Sequence, residues 1–147
     1  MSNNACFFAG RRWISSKRIG VVVQRLSRAI DILAANGVTD FISFGKKGFD
    51  ILAATLVLVK RESGAPIRLI MIRPCVDFLR SSSAPGRQLI SKISNEADKV
   101  VYTTERVSEY VFNCAQTCLC YMPRKIDLLK NWSLLKNRFI INVAYTV

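Results

Sequence analysis

Phe41-Ile42-Ser43-Phe44-Gly45-Lys46-Lys47-Gly48-Phe49-Asp50-Ile51-Leu52-Ala53-Ala54 decides how this chain folds. Its first residues are apolar and β-prone, its middle is a glycine turn, and its end has the spacing of an amphipathic helix. Gly45 and Gly48 carry no Cβ, so the turn can bring backbone close to a bound group. The free N–H groups at the helix start would face that group with the positive end of the helix dipole. Lys46 and Lys47 add charge of the same sign. These residue types in this order suit a phosphate-bearing ligand. A glycine turn joining strand to helix is also ordinary architecture.

The same alternation continues on both sides. Residues 5–9 are apolar and end at Gly10-Arg11-Arg12. Ile19, Val22, Val23, Leu26, Ile30 and Leu33 mark a helix over 18–35, stopped by Asn36-Gly37. A strand over 38–44 is followed by a helix over about 48–62, broken at Ser63-Gly64-Ala65-Pro66. Ile67 to Ile72 reads as a strand stopped by Pro74, and Ser81 to Gly86 as a loop. The spacing predicts a helix over 87–97, a strand over 99–103 and a helix over 108–121. Beyond Pro123, residues 126–129 read as a strand and 139–145 as strand or helix. Strands alternating with helices predict an α/β fold with an open, mostly parallel sheet, whose ligands sit outside the carboxyl ends of the strands. Gly10-Arg11-Arg12 and the Gly45–Gly48 turn both follow strands, so they are expected on one rim. The 147 residues fit one domain spanning 1–147.

The formal charge is +12, from 22 Lys and Arg against 10 Asp and Glu, which favours anionic partners. The basic residues occur in runs of no more than two, so a solvated basic surface accounts for them equally well. There is no histidine, which removes the commonest general base and every Ser-His or Cys-His pair. Cys114, Cys118 and Cys120 lack a usual zinc spacing and read as small buried residues on a helix. An odd cysteine count argues against a disulfide framework. The longest mostly apolar run, Ile51 to Val59, falls short of the ~20 residues of a membrane-spanning helix. The first ten residues do not read as a signal peptide. A cytoplasmic protein with no membrane partner, no cofactor and no metal is expected.

Cys6-Phe7-Phe8-Ala9-Gly10-Arg11-Arg12 resembles the C-x-F-[TA]-G-H-R start of the YpsA-like branch of the SLOG superfamily. Phe41 to Ala54 is similar to its F-I-S-G-G-A-L-G-F-D-x-L-A-A, and Ile67 to Cys75 to its strand ending in Pro-Cys. Ala97-Asp98-Lys99-Val100 resembles its A-D-x-V. The likeness is collinear from Cys6 to about Tyr121, with a fainter echo in Arg138 to Ala144. It implies a Rossmann-like three-layer sandwich that binds a nucleotide or a nucleotide-derived signal, related to the LOG enzymes and to Smf/DprA. The chain departs from the pattern at Phe44, which replaces a glycine, and at Arg11, which replaces the histidine. The family's R-N-R-Y-M-V-D is matched to Cys118–Arg124, and its Gly-Gly-Thr turn to Leu135-Lys136-Asn137. The resemblance also brings in the LOG motif P-G-G-x-G-T-x-x-E, but Ser43 to Asp50 holds neither its threonine nor its glutamate. A binding protein rather than an efficient hydrolase is expected.

The candidate ligand-binding residues are Gly10, Arg11, Arg12, Gly45, Lys46, Lys47, Gly48 and Asp50. Gly10 would admit a ligand or simply turn the chain. Arg11 and Arg12 can fork onto phosphate oxygens or remain solvated. Only Arg12 matches a family arginine. Lys46 and Lys47 can neutralise phosphate or serve as surface charge. Asp50 sits where a carboxylate meets the helix dipole; the resemblance implies instead that it accepts from a ribose hydroxyl. Trp13, Tyr102 and Trp132 can stack a base or pack. A bulky residue at Gly45 is expected to block the ligand by a local clash without unfolding the protein. Two other functions stay open: a nucleic-acid-binding protein of Smf/DprA type, and an interaction domain whose pocket has decayed.

Overall fold

Alternating patterns resolve into eleven elements in a computed structural model that describes residues 4–74, 84–103 and 115–147, with backbone alone at 74 and 84–87. They are β1 (Ala5–Gly10), α1 (Ile19–Ala35), β2 (Asp40–Ser43), α2 (Phe49–Glu62), β3 (Arg68–Pro74), α3 (Ala84–Glu96) and β4 (Lys99–Thr103), then β5 (Thr117–Tyr121), α4 (Lys125–Lys130), α5 (Trp132–Leu135) and β6 (Phe139–Asn142). The strands form one sheet in the order β4-β3-β2-β1-β5-β6, and every pairing is parallel. This is an α/β Rossmann-like three-layer sandwich.

Chain direction fixes the layers. From β1 to β4 the chain steps one way across the sheet, and right-handed crossovers then put α1, α2 and α3 on one face. After β4 it returns to the far side of β1, and α4 and α5 lie on the other face. Strand residues alternate accordingly. Cys6, Phe8, Phe41, Leu69 and Met71 face the larger core, where Val22, Leu26, Ile30 and Leu33 of α1 meet them. Phe7, Ile42, Ile72, Cys118 and Cys120 face the smaller core with Leu135. The Asn36-Gly37 stop forms as the sequence predicts. Gly37 has φ 95°, and the Asn36 side-chain amide donates to the Ile32 carbonyl at 2.7 Å.

Three expectations in the last third are corrected. Residues 117–121 are a strand, not the end of a helix, because they pair with β1 from Cys6↔Thr117 to Gly10↔Tyr121. The earlier part of that expected helix, 108–114, lies outside the described residues. Cys118 and Cys120 are buried as expected, but on this strand. Residues 126–129 form helix α4 rather than a strand; the Asp127 carboxylate accepts from the Arg124 N–H at 3.1 Å and caps its first turn. Phe139 to Asn142 settles as a strand. No helix among the described residues is long and apolar enough to cross a membrane.

Candidate functional site

All six strands end on one rim, where parallel α/β sheets bind their ligands. The sheet order reverses between β1 and β5, so the crevice favoured by topology lies between the loops that follow these strands. The first loop is Arg11-Arg12-Trp13. The second is Met122-Pro123-Arg124, which Asn142 pins from β6: its side chain accepts from the Met122 N–H at 3.1 Å and donates to the Met122 carbonyl at 2.9 Å. Arg11 reaches across this gap, with Nε 4.0 Å from the Asp127 carboxylate at the start of α4. An ion pair so long and partly solvated is weak.

The glycine turn lies beside this gap, and the sequence brings it to the rim as expected. Its donors, however, point inward. Asp50 is 3% exposed and receives Ser43 Oγ at 2.5 Å, the Phe44 N–H at 3.0 Å and the Lys46 N–H at 3.3 Å. The Gly45 N–H between them donates to Ser43 Oγ at 3.2 Å. Three successive amides that could cradle an external phosphate are thus engaged by an internal carboxylate and its serine. Burial pushes the Asp50 carboxyl up to about 6, against the pull of these hydrogen bonds.

The start of α2 is covered as well. The Phe49 N–H donates to the Arg11 carbonyl at 3.1 Å, and the Ile51 N–H to the Lys46 carbonyl at 3.2 Å. The glycines serve this close fit. A Cβ on Gly48, which has φ 84°, would strike the Arg11 and Arg12 carbonyls, and one on Gly10 would lie 2.7 Å from Phe49. Gly45 is buried with φ 70° against Met71 and Ile90. A bulky residue there would strain the backbone and the core, so such a variant reads stability rather than a local block of binding. This corrects the sequence expectation.

Side chains carry the accessible chemistry of the rim. Arg12, Lys46, Lys47 and Arg124 are exposed, and Trp13 is 85% exposed beside Arg11 and Arg12. Arg25 is tied inward by its 2.8 Å bond to the Ala144 carbonyl. Tyr102 and Trp132 are also exposed, but their elements lie elsewhere in the sheet and on α5. Sequence reasoning missed Arg124, Asn142 and Asp127, because β5 was read as helix and its rim loop went unseen. The loop matched to a Gly-Gly-Thr turn, Leu135-Lys136-Asn137, precedes β6 and so sits at the opposite end of the sheet. Cys6 and Cys118 are buried, which pushes both thiols up and leaves them unreactive. Among the described residues no cluster of His, Cys, Asp or Glu is placed to hold a metal ion. No family model matches the chain, and no curated protein matches it in sequence.

Proposed function

We propose that this protein is a SLOG-like binding module that takes a nucleotide or nucleotide-derived anion at the β1–β5 rim. The observation that carries the reading is the reversal of sheet order at that point, flanked by the exposed cations Arg12, Lys46, Lys47 and Arg124. The collinear motif resemblance supports it. Because the turn amides already serve Asp50, guanidinium and ammonium groups grip the phosphate, not a backbone cradle. Titration of nucleoside mono- and diphosphates, followed by Trp13 fluorescence, tests this. Arg12→Ala is expected to weaken binding about tenfold, in line with ~1.5–3 kcal/mol for a charged hydrogen bond. Unchanged affinity in that variant would remove the site from this rim.

A second reading, nucleic-acid binding, is favoured by Trp13, whose nearly bare ring stands among arginines. Bases stack on such a ring while cations track phosphates. Its signature is an affinity for single-stranded oligonucleotides that falls steeply with salt, with no saturable binding of mononucleotides.

A further inference from the structure

The larger core face carries a surface feature that the rim does not use. The C-terminal half of α2 and the facing side of α3 enclose an open groove of about 390 Å³. Leu58, Val59 and Glu62 line it from α2, and Leu89, Ile93 and Glu96 from α3. With Thr55 on α2 and Lys92 on α3, each set falls at i, i+3, i+4 and i+7 of its helix surface, so the groove runs along two ridges. Its length is about two helical turns, roughly 10 Å at ~1.5 Å per residue. Leu58 and Ile93 form a buried floor, while Val59 and Leu89 stay 55% and 46% exposed on its walls. Burying such walls is a favourable, non-directional term of ~25 cal/mol per Å².

Charge selects the occupant. Both helices run away from the rim, so their C-terminal ends lie together; Arg61 of α2 donates to the Glu96 carbonyl at 2.9 Å. That end of the groove therefore gathers Glu62, Glu96 and two helix C-terminal dipoles, all negative. Arg61 pairs with both Asp98 at 2.9 Å and Glu62 at 3.0 Å, so it offsets one of the three carboxylates at this end and leaves two. Lys92 lies further along the groove. With Arg61 and Lys92 set against Glu62, Glu96 and Asp98, the groove keeps a net negative charge, opposite in sign to a chain whose formal charge is +12. A second copy, also at +12 overall, is repelled at long range by the rest of the basic surface, and nucleic acid finds carboxylates at this end of the groove where it needs cations. We propose that the α2–α3 groove docks a basic amphipathic helix of a partner protein. Its apolar stripe lies between Val59 and Leu89, and its Lys or Arg side chains lie over Glu62 and Glu96.

The probe is a labelled, alanine-rich helical peptide of about 15 residues. It carries leucines at i, i+3, i+4 and i+7, and lysines flanking that stripe at both ends. Fluorescence anisotropy with the full chain should show saturable binding. Val59→Arg and Leu89→Arg, both on the exposed walls, should each weaken it about tenfold or more, with unchanged helix content by circular dichroism. Glu62→Lys combined with Glu96→Lys should weaken it severalfold at low salt and less at high salt. Arg12→Ala, at the distant rim, should leave it unchanged. No saturable binding, equal binding of a charge-reversed peptide, or full binding by Val59→Arg would each overturn the proposal. So would a concentration-dependent dimer that Val59→Arg dissolves, since the groove would then belong to a second copy.

Discussion

Asp50 supplies, from inside the protein, the negative charge that the Phe44–Lys46 amides would otherwise seek in solution. Its raised value has a definite consequence for stability. An unfolded aspartate titrates near 3.8 and Asp50 in the fold near 6, so between those values the folded state holds a proton that the unfolded state has lost. Stability therefore falls as pH rises from about 4 to about 6 and is level above, by an order of ~3 kcal/mol from this group. Asp50→Asn keeps an acceptor for the amides and removes the titration. Urea unfolding of the two proteins across that range should show the slope in the parent only; parallel curves would refute the assignment. Asp50→Ala should cost about 1–3 kcal/mol for each amide it orphans. Gly48→Ala combines a left-handed φ with a collision against backbone carbonyls, so a loss of at least ~2 kcal/mol is expected by the same measurement.

At the level of elements, β1 through β4 were legible because their helices are long enough for a clean period. Val22, Leu26, Ile30 and Leu33 leave α1 no alternative. β5 was not legible. It is buried on both faces, so Thr117 to Tyr121 shows no alternation. α4 is only Lys125–Lys130, too short for a period to declare itself, and Asp127 three residues after Arg124 was its one local signal. The rim positions of Gly10 and Gly45 were legible from chain order alone. The inward turn of the amides was not, because an aspartate in the first helical turn looks the same whether it meets a dipole, a ribose or Ser43. The corrected C-terminal elements make a test. Leu135 is buried and Leu129 is 69% exposed, so Leu135→Ala should cost about 2–5 kcal/mol and Leu129→Ala less than about 0.5. Similar losses at both positions in denaturant titrations would contradict the helical assignment.

Across the whole molecule, the absence of the LOG threonine and glutamate is joined by the burial of Asp50, whose oxygens already hold three donors. Incubation with nucleoside monophosphates should release no base at an enzymatic rate; turnover lost on Asp50→Asn would overturn that expectation. The sheet order carries a different consequence, for the time course of folding. β2, β3 and β4 can each join the growing sheet soon after their neighbour, through a local crossover. β1 waits. Its second partner is β5, and Gly10 meets Tyr121 only after the chain between them, 110 residues long (11–120), has been made. Until then Cys6-Phe7-Phe8-Ala9 is an unpaired apolar edge, the kind of template on which strands of other molecules add. A chain ending at Thr103 should therefore scatter light as it aggregates, and adding back the missing third in trans should suppress it. What becomes the centre of the finished sheet is, until β5 has been made, its most vulnerable border.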